Sequence, residues 1–273
     1  MQTAIPYPEL TRRYVDLKQA TSAKRLEHAE GATVCEYAAL VADSVEHFSR
    51  FDVSPAEPFY PKNDERDRGK NTKSLSRTYG WAMALKKTGT VAVEGDRSLD
   101  FTYVAREVAP THTKPRRPFE VSAGRVNTTD LILANATSGR PIVAELKLAR
   151  DKDPFTGLVQ ALAAAAQLVP ARQRKRLVRL GKEASDGKPR RRIADGASEP
   201  LIDVYVLLGD FPPRNRDRWL QLAYACGLAT GLEMHPIVQQ FFARIVLLSV
   251  IRSKGDQVSA SIQLPRPPAA TAA

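Results

Sequence analysis

Residues 201–208 form a nearly continuous apolar run, LIDVYVLL. Such a run is typical of a β-strand that is covered on both faces. Residues 155–169, rich in Ala, Leu and Gln, are predicted to form a helix before this strand. A strand that is reached through a helix runs parallel to its neighbour, because the chain must first cross back over the sheet. The run therefore predicts an α/β fold, with a mixed central sheet flanked by helices.

Three β-type segments precede that helix. They cover residues 119–126, 130–135 and 141–148, and turn-prone residues separate them at 127–129 and 136–140. Connections this short favour antiparallel neighbours. We therefore expect the three segments to form one side of the sheet.

Hydrophobic periodicity and composition predict the other elements. Helices are predicted at residues 33–51, 74–87 and 216–232. Extended segments are predicted at residues 90–93, 99–108, 244–252 and 257–264, the last two as a hairpin. We divide the chain into an N-terminal helical region with a linker (1–73), a larger domain (74–264) and a flexible tail (265–273).

Positive charge is concentrated in one segment of the chain. The net charge is +11, and residues 170–193 hold ten Lys or Arg residues against two acidic ones. A basic segment suggests a polyanionic partner such as nucleic acid. It is either a solvated, disordered loop or an arm that contacts phosphates, with an affinity that falls as salt is added. The candidate phosphate contacts are Arg172, Arg174, Lys175, Arg176 and Arg179.

Several classes of protein are disfavoured by the sequence. No run approaches the roughly 18–20 uncharged apolar residues of a membrane span, and the N-terminus lacks the apolar stretch of a signal peptide. We therefore expect a cytoplasmic protein that does not contact a membrane. Cys35 and Cys226 lie far apart without further ligands at metal-like spacing, so both are predicted to be small core residues.

Three residues near the middle of the chain form a candidate catalytic set. Asp130 stands at the start of one predicted strand, and Glu145 and Lys147 stand on the next. Because strand side chains alternate, Glu145 and Lys147 share one face, and Asp130 approaches Glu145 if the two strands pair. Two neighbouring carboxylates repel each other unless a cation lies between them.

This residue set suits the hydrolysis of phosphodiesters. Carboxylate oxygens are hard ligands, which suit Mg²⁺ or Mn²⁺. A bound metal polarises the phosphoryl oxygen and lowers the pKa of a bound water. Lys147 then either stabilises the charge that develops at phosphorus or positions and helps to deprotonate the attacking water, and the sequence leaves both roles open.

Residues 124–133 (GRVNTTDLIL) and 141–147 (PIVAELK) resemble the core of the PD-(D/E)XK, restriction-endonuclease-like nucleases. The resemblance covers roughly residues 119–208. It implies an αβββαβ core with an N-terminal helical extension, and a Mg²⁺-dependent endonuclease or exonuclease that acts on DNA rather than RNA. Asp130 and Glu145 would hold the metal. Whether the protein forms a homodimer is left open.

The helix after the Glu-Leu-Lys strand matches this family in part. Many members carry a glutamine there that faces the site, and Gln160 stands at that position. Ala164 replaces the aromatic residue that often follows, and Thr129 replaces the proline that precedes the aspartate. The resemblance thus gives Gln160 an orienting role.

Some members add a glutamate from the first helix as a metal ligand. Glu36 and Glu46 lie away from the apolar stripe of the predicted first helix, and Glu120 lies on a predicted strand. Asp151 and Asp153 are other candidate ligands, although helix capping accounts for Asp153. No position is secure for this third carboxylate.

Three other interpretations remain open. Glu145 and Lys147 would form a plain buried ion pair if the site had no chemistry. A module that binds nucleic acid without cleaving it would keep the same fold and the same basic segment. A protein that docks a partner through its acidic N-terminal part would have no affinity for nucleic acid at physiological salt.

Overall fold

The computed structural model describes residues 31–50, 54–56, 59–61, 73–110, 129–148, 154–183, 193–194, 201–209 and 216–263. The predicted strand at residues 119–126 lies outside these ranges, as do Glu120, Asp151, Asp153 and the tail at 265–273.

Five α-helices occur in these ranges: α1 (Gly31–Ser49), α2 (Lys73–Thr88), α3 (Pro154–Leu168), α4 (Ala171–Glu183) and α5 (Arg216–Glu233). The strands are β1 (Tyr60–Pro61), β2 (Thr90–Val91), β3 (Val93–Glu94), β4 (Phe101–Ala109), β5 (Thr129–Asn135), β6 (Pro141–Leu148), β7 (Ile202–Gly209), β8 (Phe242–Arg252) and β9 (Val258–Ile262). Short 3-10 helices lie at Arg97–Leu99 and Val238–Gln240.

All of these strands belong to one mixed sheet. Its order is β1-β4-β5-β6-β7-β8-β9-β3, and β2 also pairs with β4. The predicted parallel crossover is confirmed, because β7 runs parallel to β6 from Ile142 opposite Asp203 to Leu148 opposite Gly209. The predicted hairpin is also confirmed, since β8 and β9 pair antiparallel.

The neighbour of β5 on the side away from β6 is β4. These two strands pair antiparallel from Phe101 opposite Asn135 to Val108 opposite Thr129. The segment predicted at residues 99–108 therefore stands beside β5 within the described sheet.

The sheet separates two apolar cores. Strand β7 buries all of its residues, which explains its unbroken apolar sequence. Val204 and Val206 belong to the core shared with α1, α3 and α5, whereas Tyr205 and Leu207 belong to the core under α2. Each such side chain contributes about 1.5–3 kcal/mol when fully buried, so both cores hold the strand in place.

Helix α3 is buried almost all the way round, and only Thr156 and Gln160 are not buried along it. It lies between the sheet and the outer helices α1 and α5, and the ring of Phe155 packs edge-on against Tyr37 of α1. Small side chains allow this close packing on every side. Ala164 is completely buried there, so a large aromatic side chain would not fit in its place.

Two further findings concern the candidate core residues and membrane spans. Cys226 is buried as predicted, but Cys35 is exposed, because it lies off the apolar face of α1. No helix in the described ranges is by itself long and apolar enough to cross a membrane; only Pro154–Leu168 taken with Ala171–Lys182 meets that test, and the pair is bent by 101°.

Candidate active site

The site begins where β5 and β6 stop pairing through their backbones. Their antiparallel ladder ends at Leu131 opposite Ala144. Beyond that pair, the Leu146 amide donates to Oδ2 of Asp130 at 3.0 Å, and the Asp130 amide donates to Oε1 of Glu145 at 3.3 Å. The two carboxylates thus accept bonds from amides that would otherwise lose their ladder partners.

Thr129 also links β5 to β6 beyond their last backbone pair, from the opposite face of β5. Its side chain is fully buried, and its hydroxyl donates to the carbonyl of Ala144 at 3.1 Å. The three side-chain bonds together fix how far the strands separate. They also confirm the predicted pairing that brings Asp130 beside Glu145.

Glu145 and Lys147 share one face of β6, as their spacing predicts. The face is the one that packs on α3, since Val143 of the same parity belongs to that core. Nζ of Lys147 lies 3.6 Å from Oε2 of Glu145 and donates to Oε1 of Gln160 at 2.6 Å. The structure therefore brings all four predicted site residues, Asp130 included, into one group.

The charges in this group do not balance. Glu145 is only 3% exposed, and burial raises its pKa well above the usual value. The neighbouring Asp130 carboxylate raises that pKa further, while Lys147 acts in the opposite direction. Two carboxylates thus face one ammonium in a poorly solvated place, an arrangement that favours a proton or a further cation.

Gly157 of α3 belongs to the site, and our sequence reasoning did not identify it. A Cβ at this position would lie 2.9 Å from both Cγ and Cε of Lys147 and 3.2 Å from Val206. The absence of a side chain lets Lys147 pass between the helix and β7. A glycine inside an otherwise Ala- and Leu-rich helix was the available signal, because glycine costs about 1 kcal/mol there relative to alanine.

Two of the candidate third carboxylates, Glu36 and Glu46, fall within the described residues, and neither joins the site. Glu36 and Glu46 are exposed on α1, and Glu46 pairs with Arg50. Among the residues that the structure describes, no group of three or more His, Cys, Asp or Glu side chains is placed to hold a metal ion.

Glu107 of β4 shows why register alone does not place a ligand. It stands opposite Asp130, because Arg106 pairs with Leu131 and Val108 pairs with Thr129. Its φ of 48°, however, breaks the alternation of the strand. Its carboxylate bonds to Arg106 at 3.1 Å, and the Arg106 guanidinium lies over the Tyr79 ring of α2. The bonded pair of Glu107 and Arg106 therefore meets the α2 face of the sheet.

The basic segment is helical over most of its described part. Residues 171–183 form α4, so the prediction of a disordered loop is wrong for this part. Arg172, Lys175 and Arg179 are exposed, as expected of phosphate contacts. Arg174 is half-buried, donates Nε to the Val169 carbonyl at 2.9 Å, and has a pKa lowered by burial.

Arg176 contradicts the prediction that it contacts phosphate. It is 1% exposed, lies 3.9 Å over the ring of Phe59, and donates to the Pro110 carbonyl at 2.9 Å and to Gln173 Oε1 at 2.7 Å. The prediction assumed that every basic residue of the segment is exposed. Leu177 and Val178 mark the buried face of an amphipathic helix, and this pattern indicates that the neighbouring Arg176 faces inward too.

Comparisons of this chain with protein-family models, with curated proteins and with solved structures found no match.

Proposed function

We propose that the protein is a nuclease that depends on a divalent metal ion and hydrolyses phosphodiester bonds, in DNA rather than RNA. One observation carries the proposal: Glu145 is buried beside Asp130, with Lys147 on the same face only 3.6 Å from its carboxylate. A plain ion pair would need only Glu145 and Lys147. The second carboxylate adds a repulsion that Lys147 alone does not balance, and a bound proton or a metal cation would offset it.

The order of elements supports a restriction-endonuclease-like core. Helix α1, then β1, α2 and the short strands β2 and β3, precede three antiparallel strands, β4, β5 and β6. Helices α3 and α4 and the parallel strand β7 follow them. In this assignment β4 takes the place that the sequence suggested for residues 119–126. The candidate residues then stand on the second and third strands and on the following helix.

The donor set is compatible with Mg²⁺ or Mn²⁺. Both ions prefer oxygen ligands, and Mg²⁺ is commonly bound by only one or two carboxylates together with water. Asp130 and Glu145 would hold the ion, and its charge would relieve the repulsion that raises the pKa of Glu145. When bound, the ion supplies Lewis-acid polarisation of the phosphoryl oxygen and a more acidic water.

The chain itself supplies positioning and positive charge. The Lys147 ammonium stabilises the negative charge that develops on the phosphoryl oxygens during attack. Gln160 fixes the direction of this ammonium through the bond at 2.6 Å. Gly157 keeps its path open, so the charge is in place before the substrate arrives.

A module of the same fold that binds nucleic acid without cleaving it is the second candidate. Within the described ranges only two carboxylates meet at the site, and no third acidic group joins them. That observation favours a protein of this fold without catalytic activity. Such a protein would bind nucleic acid with an affinity that falls as salt is added, and would not cleave it with any divalent metal.

Cleavage by lysine variants separates these proposals. Supercoiled plasmid and single-stranded oligonucleotides are incubated with Mg²⁺, Mn²⁺ or EDTA. We expect wild-type cleavage with metal, a loss of at least about a hundredfold in Lys147→Ala, and nearly unchanged binding. Lys254→Ala, an exposed lysine in the β8–β9 turn, is the matched control and should cleave normally. Full cleavage by Lys147→Ala would refute the nuclease assignment.

A further inference from the structure

The exposed side of α4 carries a row of like charges. Arg172, Lys175, Arg179 and Lys182 are all exposed and follow each other at intervals of three, four and three residues. That spacing places them on one face of a helix. At 1.5 Å per residue, the row is about 15 Å long.

The first turn of α4 contains no acidic residue, although a helix N-terminus favours negative charge. An anionic ligand near this end of the row would meet that preference.

The opposite side of α4 fixes the helix to the sheet. Arg176 and Gln173 both donate to the carbonyl of Pro110, the residue after β4. Val108 near this end of β4 is in register with Thr129, which precedes Asp130. The buried face of α4 thus anchors the row of charges near the end of the sheet at which the candidate site opens.

The occupant that fits this face is a polynucleotide backbone rather than a membrane. A membrane-binding helix needs exposed apolar side chains next to its cations, whereas Leu177 and Val178 of α4 are buried in the core. Arg179 also donates one guanidinium hydrogen to the Ala56 carbonyl, which helps to hold its side chain in place.

We propose that Arg172, Lys175, Arg179 and Lys182 contact consecutive phosphates of a polynucleotide and guide its backbone, independently of base sequence, towards Asp130 and Lys147. The proposal rests on the proposed function for what happens at the site. It goes further in assigning a surface, separate from the site, that binds the polymer backbone. Arg176 is excluded from this surface and serves as its anchor.

Binding is measured by fluorescence anisotropy with labelled 30-nucleotide single-stranded and duplex DNA in EDTA, between 50 and 300 mM NaCl. The test variant replaces Arg172, Lys175, Arg179 and Lys182 together by glutamine. Each phosphate contact contributes about 0.7 to the slope of log affinity against log salt for single strands and about 0.9 for duplex. We therefore expect the slope to fall by roughly 3 for single strands and by roughly 3.6 for duplex. The affinity at 100 mM NaCl should fall at least tenfold, and base sequence should make no difference.

The control variant removes two exposed charges elsewhere, Arg97→Gln with Lys254→Gln, and should keep the wild-type slope. Thermal unfolding of the quadruple variant should remain cooperative, which shows that the variant is folded. An unchanged salt slope in the quadruple variant would overturn the proposal. The wild type is also tested with vesicles of anionic phospholipid. If it binds them at least as tightly as DNA, and the quadruple variant does not bind them, the ligand of this surface is a membrane and not nucleic acid.

Hydrolysis of bis(p-nitrophenyl) phosphate with Mg²⁺ or Mn²⁺ separates this proposal from the proposed function. The small diester needs the site but not the row of charges, so the quadruple variant should hydrolyse it at the wild-type rate. If the wild type hydrolyses the small diester but the quadruple variant binds DNA as the wild type does, the guiding surface is refuted and the nuclease is not. If the quadruple variant binds DNA more weakly but the wild type hydrolyses neither DNA nor the small diester, the nuclease is refuted and the binding surface stands.

Discussion

At the scale of single residues, two buried carboxylates stand out. Glu145 belongs to the candidate site, and its raised pKa follows from burial together with the neighbouring Asp130. Asp203 of β7 lies towards the opposite end of the same parallel strands and is 1% exposed. Arg140 donates to its Oδ1 at 3.3 Å, whereas Oδ2 has no hydrogen-bond partner among the described residues.

Asp203 makes the stability of the fold depend on pH. Burial raises its pKa from 3.8 to about 6, although Arg140 acts against the shift. The folded state therefore binds this proton more tightly than the unfolded chain does. The resulting stabilisation is complete below pH 3.8 and is lost as pH rises through about 6. At about 1.36 kcal/mol per pKa unit, it amounts to about 3 kcal/mol.

Replacing Asp203 by asparagine should remove this dependence. The free energy of unfolding, measured with urea at pH 4, 5, 6 and 7, should change less with pH in Asp203→Asn than in the wild type. The variant should gain most, relative to the wild type, at pH 7. Asp256→Asn is the control, because Arg252 lowers the pKa of that carboxyl. An Asp203→Asn variant with the wild-type pH profile would contradict this account.

The residue scale also shows what the sequence could predict. The shared face of Glu145 and Lys147 followed from strand alternation, which is a local property. The burial of Arg176 did not, because the sequence does not say which side of α4 meets Phe59 and Pro110. Charge is visible in a sequence, but exposure depends on tertiary packing.

At the scale of elements, the approach of α3 to β6 determines where Lys147 lies. The bounds of α1, α2, α3 and α5 were predictable from periodicity, whereas α4 was not predicted. The sheet confirmed the parallel pairing of β6 with β7. The place of β4 beside β5 was not predicted, because strand neighbours are chosen by long-range packing. Gly157 was missed for the same reason, since its need for space arises only when α3 lies on Lys147.

Gly157→Ala tests this contact. The new Cβ would lie 2.9 Å from two carbons of Lys147 and displace its ammonium. We expect cleavage to fall at least tenfold, as a displacement of about 1 Å suffices for such a loss. Alanine would ordinarily stabilise a helix by about 1 kcal/mol relative to glycine. Cleavage rates and thermal unfolding of the same preparations provide the measurement.

Gly227→Ala is the matched control for that substitution. Gly227 lies within α5, and a Cβ there meets no atom within 4 Å. The control should therefore gain up to about 1 kcal/mol of stability and keep its cleavage rate. If Gly157→Ala behaved like Gly227→Ala in both respects, the proposed positioning of Lys147 by Gly157 would be wrong.

At the scale of the whole molecule, one mixed sheet carries both structure and candidate chemistry. Its central strand β7 is held between two cores, and α3 fills the space between the sheet and the outer helices. The site opens where β5 and β6 separate, so the rigid sheet fixes the carboxylates. The anchored helix α4 stands near that opening with its exposed cations. Under the proposed function, a polyanion bound to these cations would lie near the two candidate metal ligands.

The most direct test of the nuclease assignment is cleavage by wild type and Glu145→Gln in Mg²⁺, Mn²⁺ and EDTA. Glutamine keeps the size of the side chain and removes the charge that opposes Asp130. We predict metal-dependent cleavage by the wild type and none by the variant, whose unfolding temperature in EDTA should equal or exceed that of the wild type. Wild-type cleavage that survives EDTA, or Glu145→Gln cleaving at the wild-type rate, would contradict the assignment.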